Sequence, residues 1–217
     1  MIKIILIFVI YFIQFFNLSS EEPKLEEIIK GLNSPWSLSF MDDKNVLITE
    51  KSGNLLKINL KNKKIDKLIH NLKILEHGQG GLLEVLYKKD EIFISYTEDR
   101  GAGKSSTSVA KAMINLNKLN FKNIFRAEPP INSGYHFGSR LIIKDNYLFI
   151  TAGERGKGMI AQDAKKHPGS IIRIHLDGSI PINNPKFENK KNWLPEIYQI
   201  GVRNPQGMAL SPFNNQI

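Results

Sequence analysis

Short apolar segments joined by tight polar turns recur along the chain and predict β-hairpins. In the first of them, residues 37–40 alternate polar and apolar side chains, residues 42–45 are a polar turn, and residues 46–49 are a second short apolar run. Alternation with a period of two and a turn rich in Asp and Asn are typical of two antiparallel strands. The same plan returns three times, with its polar turns at residues 88–91, 144–146 and 212–215.

The repeat predicts an all-β fold of the β-propeller type. Copies of the hairpin lie roughly 45 to 70 residues apart, which is about the length of a four-stranded propeller blade. Helical patterning is scarce, and residues 25–29 are the only short helical candidate. About three and a half blades are therefore expected, while a β-sandwich is the alternative that does not account for a repeat. Further strand-like segments lie between the copies, at residues 55–58, 108–114 and 170–174.

The composition is that of a globular, basic protein without cysteine. The 217 residues carry a formal net charge of +9, and the lysines are scattered between apolar positions rather than clustered with stacking aromatic residues. We therefore expect a solvated basic surface and no nucleic-acid partner. The absence of cysteine excludes disulfides and thiolate metal sites.

Residues 1–20 have the pattern of an export signal. Lys3 supplies a positive charge, and residues 4–16 are apolar except for Gln14. This run is shorter than the roughly 20 residues that a spanning helix needs. We expect a cleaved signal peptide, a mature partial propeller domain at residues 21–217 with no membrane span, and a periplasmic or secreted location; an uncleaved membrane anchor is the alternative.

A distinctive residue precedes each repeated hairpin. Trp36, Gln79, His136 and the pair Arg203–Asn204 stand before the first, second, third and fourth copies, three of them beside glycines or proline. Equivalent positions of successive blades lie on the same rim of the propeller channel. We therefore expect these side chains to converge at one mouth of that channel.

The predicted mouth carries a base and a cation but no nucleophile. His136 can accept a proton near neutral pH, Arg203 stays charged and offers a planar set of donors, and Asn204 and Gln79 supply neutral hydrogen bonds. No neighbouring Ser or Cys motif or zinc-spaced His pair is present. This set favours removal of a proton and a hydride. Each residue also has a structural alternative: a loop hydrogen bond for the histidine, a strand cap for the arginine, packing for Trp36.

Residues 101–105 resemble the end of a phosphate-binding P-loop. That motif needs glycine at position 98, where Glu98 stands. We interpret this stretch as a Gly-rich turn between two strands, not as a nucleotide site.

Several separated motifs in the right order resemble the soluble glucose/sorbosone dehydrogenase family, the pyrroloquinoline quinone (PQQ)-dependent aldose sugar dehydrogenases. The similarity runs from about Gly31 to the end of the chain. The motifs lie at residues 31–38, 49–50, 79–83, 136–141, 161–163, 173–185 and 203–207.

The resemblance implies a periplasmic six-bladed propeller that binds PQQ and calcium at the channel mouth and oxidises an aldose at C1 to the lactone. It implies that His136 takes the C1 hydroxyl proton, that Arg203 hydrogen-bonds the quinone oxygen, that Asn204 contacts the cofactor and that Gln79 lies beside the sugar. The enzyme would be a quinoprotein acting on CH–OH groups, with an electron acceptor that the sequence does not identify.

Two departures from the family pattern are visible in the sequence. Ser139 stands where family members usually have glycine, and the segment expected to supply calcium ligands would lie beyond Ile217. The chain therefore resembles an N-terminal portion of such an enzyme. A noncatalytic binding propeller or an inactive fragment is the alternative; a calcium-dependent lactonase, which would need carboxylates at the mouth, ranks last.

Overall fold

The computed structural model describes residues 23–114, 118–186 and 192–217, and the predicted signal segment lies outside these ranges. Gly31–Ile217 forms one compact unit. The helix predicted at residues 25–29 is wrong, because residues 23–30 have no regular secondary structure. Five residues are too few to offset the cost of helix nucleation without packing, and the Leu25 side chain is fully exposed.

The described residues form three four-stranded antiparallel sheets, and in each sheet the strands follow one another in chain order. A 3₁₀ helix, Gly158–Gln162, follows β10. No helix in the described ranges is long and apolar enough to cross a bilayer. The strands are β1 (Pro35–Phe40), β2 (Asn45–Glu50), β3 (Leu55–Asn59), β4 (Ile65–Leu68), β5 (Leu82–Lys88), β6 (Glu91–Asp99), β7 (Ser105–Met113), β8 (Lys122–Arg126), β9 (Gly138–Lys144), β10 (Tyr147–Ala152), β11 (Ser170–His175) and β12 (Ile197–Ile200).

The three sheets are three propeller blades, and the first three predicted hairpins are confirmed as β1–β2, β5–β6 and β9–β10. The turn at residues 101–104 closes the β6–β7 hairpin, where the Lys104 N–H donates to the Gly101 carbonyl at 2.9 Å. This geometry supports the interpretation of that stretch as a hairpin turn.

The fourth copy is only partly formed. Its turn is present, because the Ser211 N–H donates to the Gln216 carbonyl at 2.7 Å and the Asn215 N–H donates to the Ser211 carbonyl at 2.9 Å. Residues 207–210 are not in a strand. A strand is defined by a hydrogen-bonded neighbour, and this segment has none among the described residues.

The middle blade is buried on both faces. Ile92 and Ile94 of β6 join an apolar cluster with Leu47 of the first blade, whereas Phe93 between them joins a cluster with Leu141 of the third. Successive side chains of a strand point to opposite faces, so a strand packed between two blades has consecutive apolar residues, as β6 has at residues 92–94. This packing fixes the order in which the blades stand around the channel.

The innermost strands of the three blades lie side by side, β1 against β5 and β5 against β9. One buried carboxylate joins them: Glu84 of β5 accepts from the Ser37 hydroxyl of β1 at 2.8 Å and forms an ion pair with Arg140 of β9. Burial raises the pKa of Glu84, and the charge of Arg140 with the hydrogen bonds from both partners offsets only part of this rise. The carboxylate therefore links all three blades.

Candidate functional site

The β9–β10 hairpin places two chemically useful side chains opposite each other. The last pair of its ladder joins Gly138 to Ala152. His136 stands two residues before this pair and Glu154 two residues after it, and the His136 Nδ1 atom lies in hydrogen-bond contact with Glu154 Oε1. The open end of one hairpin thus brings a histidine and a carboxylate together.

Glu154 fixes the tautomer of the histidine. Burial alone would raise the pKa of this carboxyl, but hydrogen bonds from His136 and from the Gly158 N–H outweigh burial and hold the pKa below its ordinary value. An ionised carboxylate only accepts, so Nδ1 of His136 carries the hydrogen and donates it. In the neutral ring Nε2 is then the basic atom. The His136 side chain is 13% exposed, so it is only partly buried.

The backbone around the histidine adopts a conformation that side chains rarely allow. His136 has a φ of 51°, in the left-handed region. Its carbonyl lies so close to Gly153 that a Cβ there would overlap the oxygen. Positive φ at a non-glycine residue is maintained only when the surroundings impose it, and such residues are concentrated in functional sites.

Gln79 of the second blade contacts the same loop. Its side-chain oxygen accepts from the His136 N–H at 2.8 Å, and its own N–H donates to the Gly134 carbonyl at 2.7 Å. A Cβ at Gly78 would overlap the Gly134 carbonyl, so glycine permits this close approach. The loops of the second and third blades therefore meet at the predicted mouth.

The loop at residues 203–206 is fastened to the third blade at several points. The Arg203 carbonyl accepts from the Glu154 N–H at 2.8 Å, and Asn204 Oδ1 accepts from the Gly138 N–H at 3.0 Å. The Pro205 carbonyl accepts from the Thr151 hydroxyl at 2.7 Å. This fastening leaves the Arg203 side chain exposed, with no ion pair to any carboxylate of the described residues.

The loops that carry Gln79, His136, Arg203 and Asn204 therefore meet, Gln79 and Asn204 through their side chains and Arg203 through its carbonyl. Trp36 instead packs against Arg140, whose guanidinium carbon lies 5.1 Å from the centroid of the Trp36 rings.

Glu154 is the residue of the candidate site that the sequence prediction missed. Within Thr151-Ala152-Gly153-Glu154 nothing separates this carboxylate from the many other acidic residues near turns. The strand register would have found it, because residues equally distant from the last pair of a hairpin stand opposite each other.

These features define a β-propeller whose blade-connecting loops build a polar site at one mouth of the channel. The chain belongs to the glucose/sorbosone dehydrogenase family, whose sequence profile matches residues 32–217.

Named relatives agree with this assignment. The chain is 36% identical over 203 residues to the aldose sugar dehydrogenase YliI of Escherichia coli, an alignment that covers 89% of the chain and 54% of that protein. It is 27% identical over 233 residues to the quinoprotein glucose dehydrogenase B of Acinetobacter calcoaceticus, covering 92% and 48%. A crystal structure of a glucose dehydrogenase superposes with a TM-score of 0.83 at 33% identity, covering 89% of the chain and 59% of that structure. The chain spans about half the length of the curated relatives it matches.

The mouth has groups that fit an anionic quinone such as PQQ. The Arg203 guanidinium is exposed and unpaired among the described residues, and Asn204 uses only its oxygen there, which leaves its amide hydrogens for a ligand. Cationic and amide donors are what carboxylates and quinone oxygens require. No group of three side chains suited to a metal ion occurs within residues 23–114, 118–186 and 192–217. Calcium stays an expectation from the family resemblance.

Proposed function

We propose that the protein acts in the PQQ-dependent oxidation of an aldose at C1, which yields the lactone. The observation that carries the proposal is the contact between His136 Nδ1 and a buried, ionised Glu154, whose N–H donates to the carbonyl of the exposed Arg203. The names of two relatives, an aldose sugar dehydrogenase and a quinoprotein glucose dehydrogenase, support the substrate class and the cofactor.

The residues of the site have separate tasks in this reaction. Nε2 of His136 accepts the proton of the C1 hydroxyl, and the Glu154 carboxylate stabilises the imidazolium that forms. Arg203 and Asn204 hold the cofactor, and the guanidinium offers its charge to an oxygen on which negative charge develops. The role proposed for Gln79 is a hydrogen bond to the sugar from its side-chain amide, whose oxygen accepts from the His136 N–H. PQQ, when bound, would supply the redox chemistry of the reaction, as the acceptor of the hydride.

The remaining parts of the proposal follow from the resemblance. Calcium would bind with ligands outside residues 21–217, the proposed propeller domain. The electrons would pass to an acceptor that is not identified. Signal cleavage near residue 20 would leave the protein periplasmic or secreted.

The test is dye-linked aldose oxidation by the purified chain, with and without added PQQ and calcium. We expect PQQ-dependent turnover that falls at least about 100-fold in His136→Gln, because general-base catalysis contributes roughly 10²–10⁴-fold. His175→Gln is the matched control, since His175 stacks on Tyr147 at the far end of the same blade. A folded sample that neither binds PQQ nor oxidises an aldose would contradict the proposal. The protein would then be a binding propeller or an inactive fragment.

A further inference from the structure

Arg155 is a buried cation directly beneath the loop that carries His136. Its relative exposure is 2%, although arginine is almost never buried to this extent without a partner. No carboxylate of the described residues pairs with it; burial alone lowers its pKa to about 10. The guanidinium is therefore charged at neutral pH, and only neutral groups compensate its charge.

Those neutral groups flank the histidine on both sides. The Arg155 Nε–H donates to the Tyr135 carbonyl at 3.0 Å, and Nη2 donates to the Ser133 carbonyl. The guanidinium carbon lies 3.7 Å from the centroid of the Phe137 ring. Three alternate residues of the loop, two before His136 and one after it, thus contact one rigid planar group.

The same guanidinium also reaches the neighbouring blade. Nη1 donates to the Ser105 carbonyl and Nη2 to the Ser105 hydroxyl, both at 2.9 Å. Ser105 is the first residue of β7 in the second blade. Arg155 therefore ties the histidine loop of the third blade to the frame of the second.

We infer that Arg155 is a positioning residue for the proposed reaction: it holds the loop at residues 133–137 so that His136 keeps its left-handed backbone and its Nδ1 contact with Glu154. This inference rests on the proposed function, because it explains how His136, the proposed base, is oriented. Two hydrogen bonds and the Phe137 ring join the guanidinium to the loop, and two further hydrogen bonds anchor the same planar group to Ser105. Lysine cannot replace this fork, because its ammonium is a single point of charge with three donors.

The test reads the histidine ring directly and needs no cofactor. In ¹⁵N-histidine-labelled protein, long-range ¹H–¹⁵N spectra distinguish the Nδ1–H tautomer, and His136→Gln assigns the signal among the five histidines. We expect Arg155→Lys to remain folded, to lose the uniform Nδ1–H tautomer at His136, and to reduce kcat at least about tenfold with little change in KM, as disrupted orienting contacts do.

Arg173→Lys is the matched control, because Arg173 stacks on Tyr147 and Tyr198 and donates to Asn184 at 2.6 Å, outside the mouth. It should leave the His136 spectrum and kcat unchanged. Unchanged spectra and kcat in a folded Arg155→Lys protein would overturn the inference. If Arg155→Lys does not fold, Ser105→Ala is the second test. This substitution removes the hydroxyl that accepts from the guanidinium and does not contact His136. An unaltered His136 spectrum in Ser105→Ala would also overturn the inference. Absence of turnover in the wild-type protein would count against the proposed function alone, since the tautomer measurement stands without it.

Discussion

The Nδ1 atom of His136 contacts Oε1 of Glu154 across the open end of the β9–β10 hairpin, two residues beyond the last strand pair. The ladder of the hairpin holds both backbones, so the contact is preorganised rather than formed when a ligand arrives. A base that is oriented in advance does not have to be ordered again during the reaction.

Removing the charge of Glu154 should slow turnover without weakening cofactor binding. In Glu154→Gln the amide keeps the shape, but it can offer its NH₂ to the ring and favour the wrong tautomer. We expect kcat to fall at least about tenfold, as loss of an orienting carboxylate does, and the Kd for PQQ to stay within a factor of about two. Steady-state kinetics and a PQQ fluorescence titration measure the two quantities.

The matched control for this change is Glu196→Gln. Glu196 accepts from the buried histidine His167 at 2.9 Å, in the third blade but outside the candidate site. Glu196→Gln should change the free energy of unfolding and leave kcat unchanged. An equal loss of kcat in both variants would show that turnover follows stability and not the orientation of His136.

Two buried carboxyls should make opposite contributions to stability as the pH changes. The pKa of Glu84 is raised above 4.5 by burial, so its contribution is present below that value and is lost as the pH rises through the raised pKa. The pKa of Glu154 is lowered below 4.5 because its hydrogen bonds outweigh burial, so its contribution is present above 4.5 and is lost as the pH falls through the lowered pKa.

Urea unfolding of the wild type, Glu84→Gln and Glu154→Gln measures this difference between about pH 3.5 and 7. The free energy of unfolding of the wild type, relative to Glu84→Gln, should decrease as the pH rises. Relative to Glu154→Gln it should increase. Slopes of the same sign for the two variants would contradict the assigned environments.

The sequence predicts the strands and hairpins that the spacing of apolar residues and the composition of the turns determine. The apolar run through Ile92, Phe93 and Ile94 predicts the second strand of a hairpin, and the structure has β6 there. The outermost strands were missed, because a strand such as β4 has three exposed residues out of four and little apolar signal. The left-handed backbone of His136 was also missed, since a histidine in sequence does not show that its surroundings impose a positive φ.

The folded protein should be less stable with serine at position 139 than with glycine. It has a φ of 77° and is fully buried, and its hydroxyl donates to the Gly138 carbonyl. A left-handed conformation disfavours any residue with a Cβ, and this strain is absent in glycine. Because glycine also loses more entropy on folding, only part of the strain is gained back, and Ser139→Gly should raise the free energy of unfolding by about 0.5–1 kcal/mol. Thermal or urea unfolding measures it. Ser139→Ala keeps the Cβ and should bring no gain; an equal gain in both variants would assign the effect to the hydroxyl.

Arg203 should bind the cofactor through its charge, because the mouth leaves its guanidinium exposed while holding its carbonyl on the Glu154 N–H. Since hydrogen bonds to charged groups contribute about 1.5–3 kcal/mol, Arg203→Gln should weaken PQQ binding roughly 10- to 100-fold. The melting temperature without ligand should change little, since no described carboxylate loses a partner. Lys61→Gln removes the same charge from an exposed position in the β3–β4 turn, so it separates a specific contact from the effect of net charge. Equal weakening by both variants would mean that the basic surface as a whole, and not Arg203, attracts the anionic quinone.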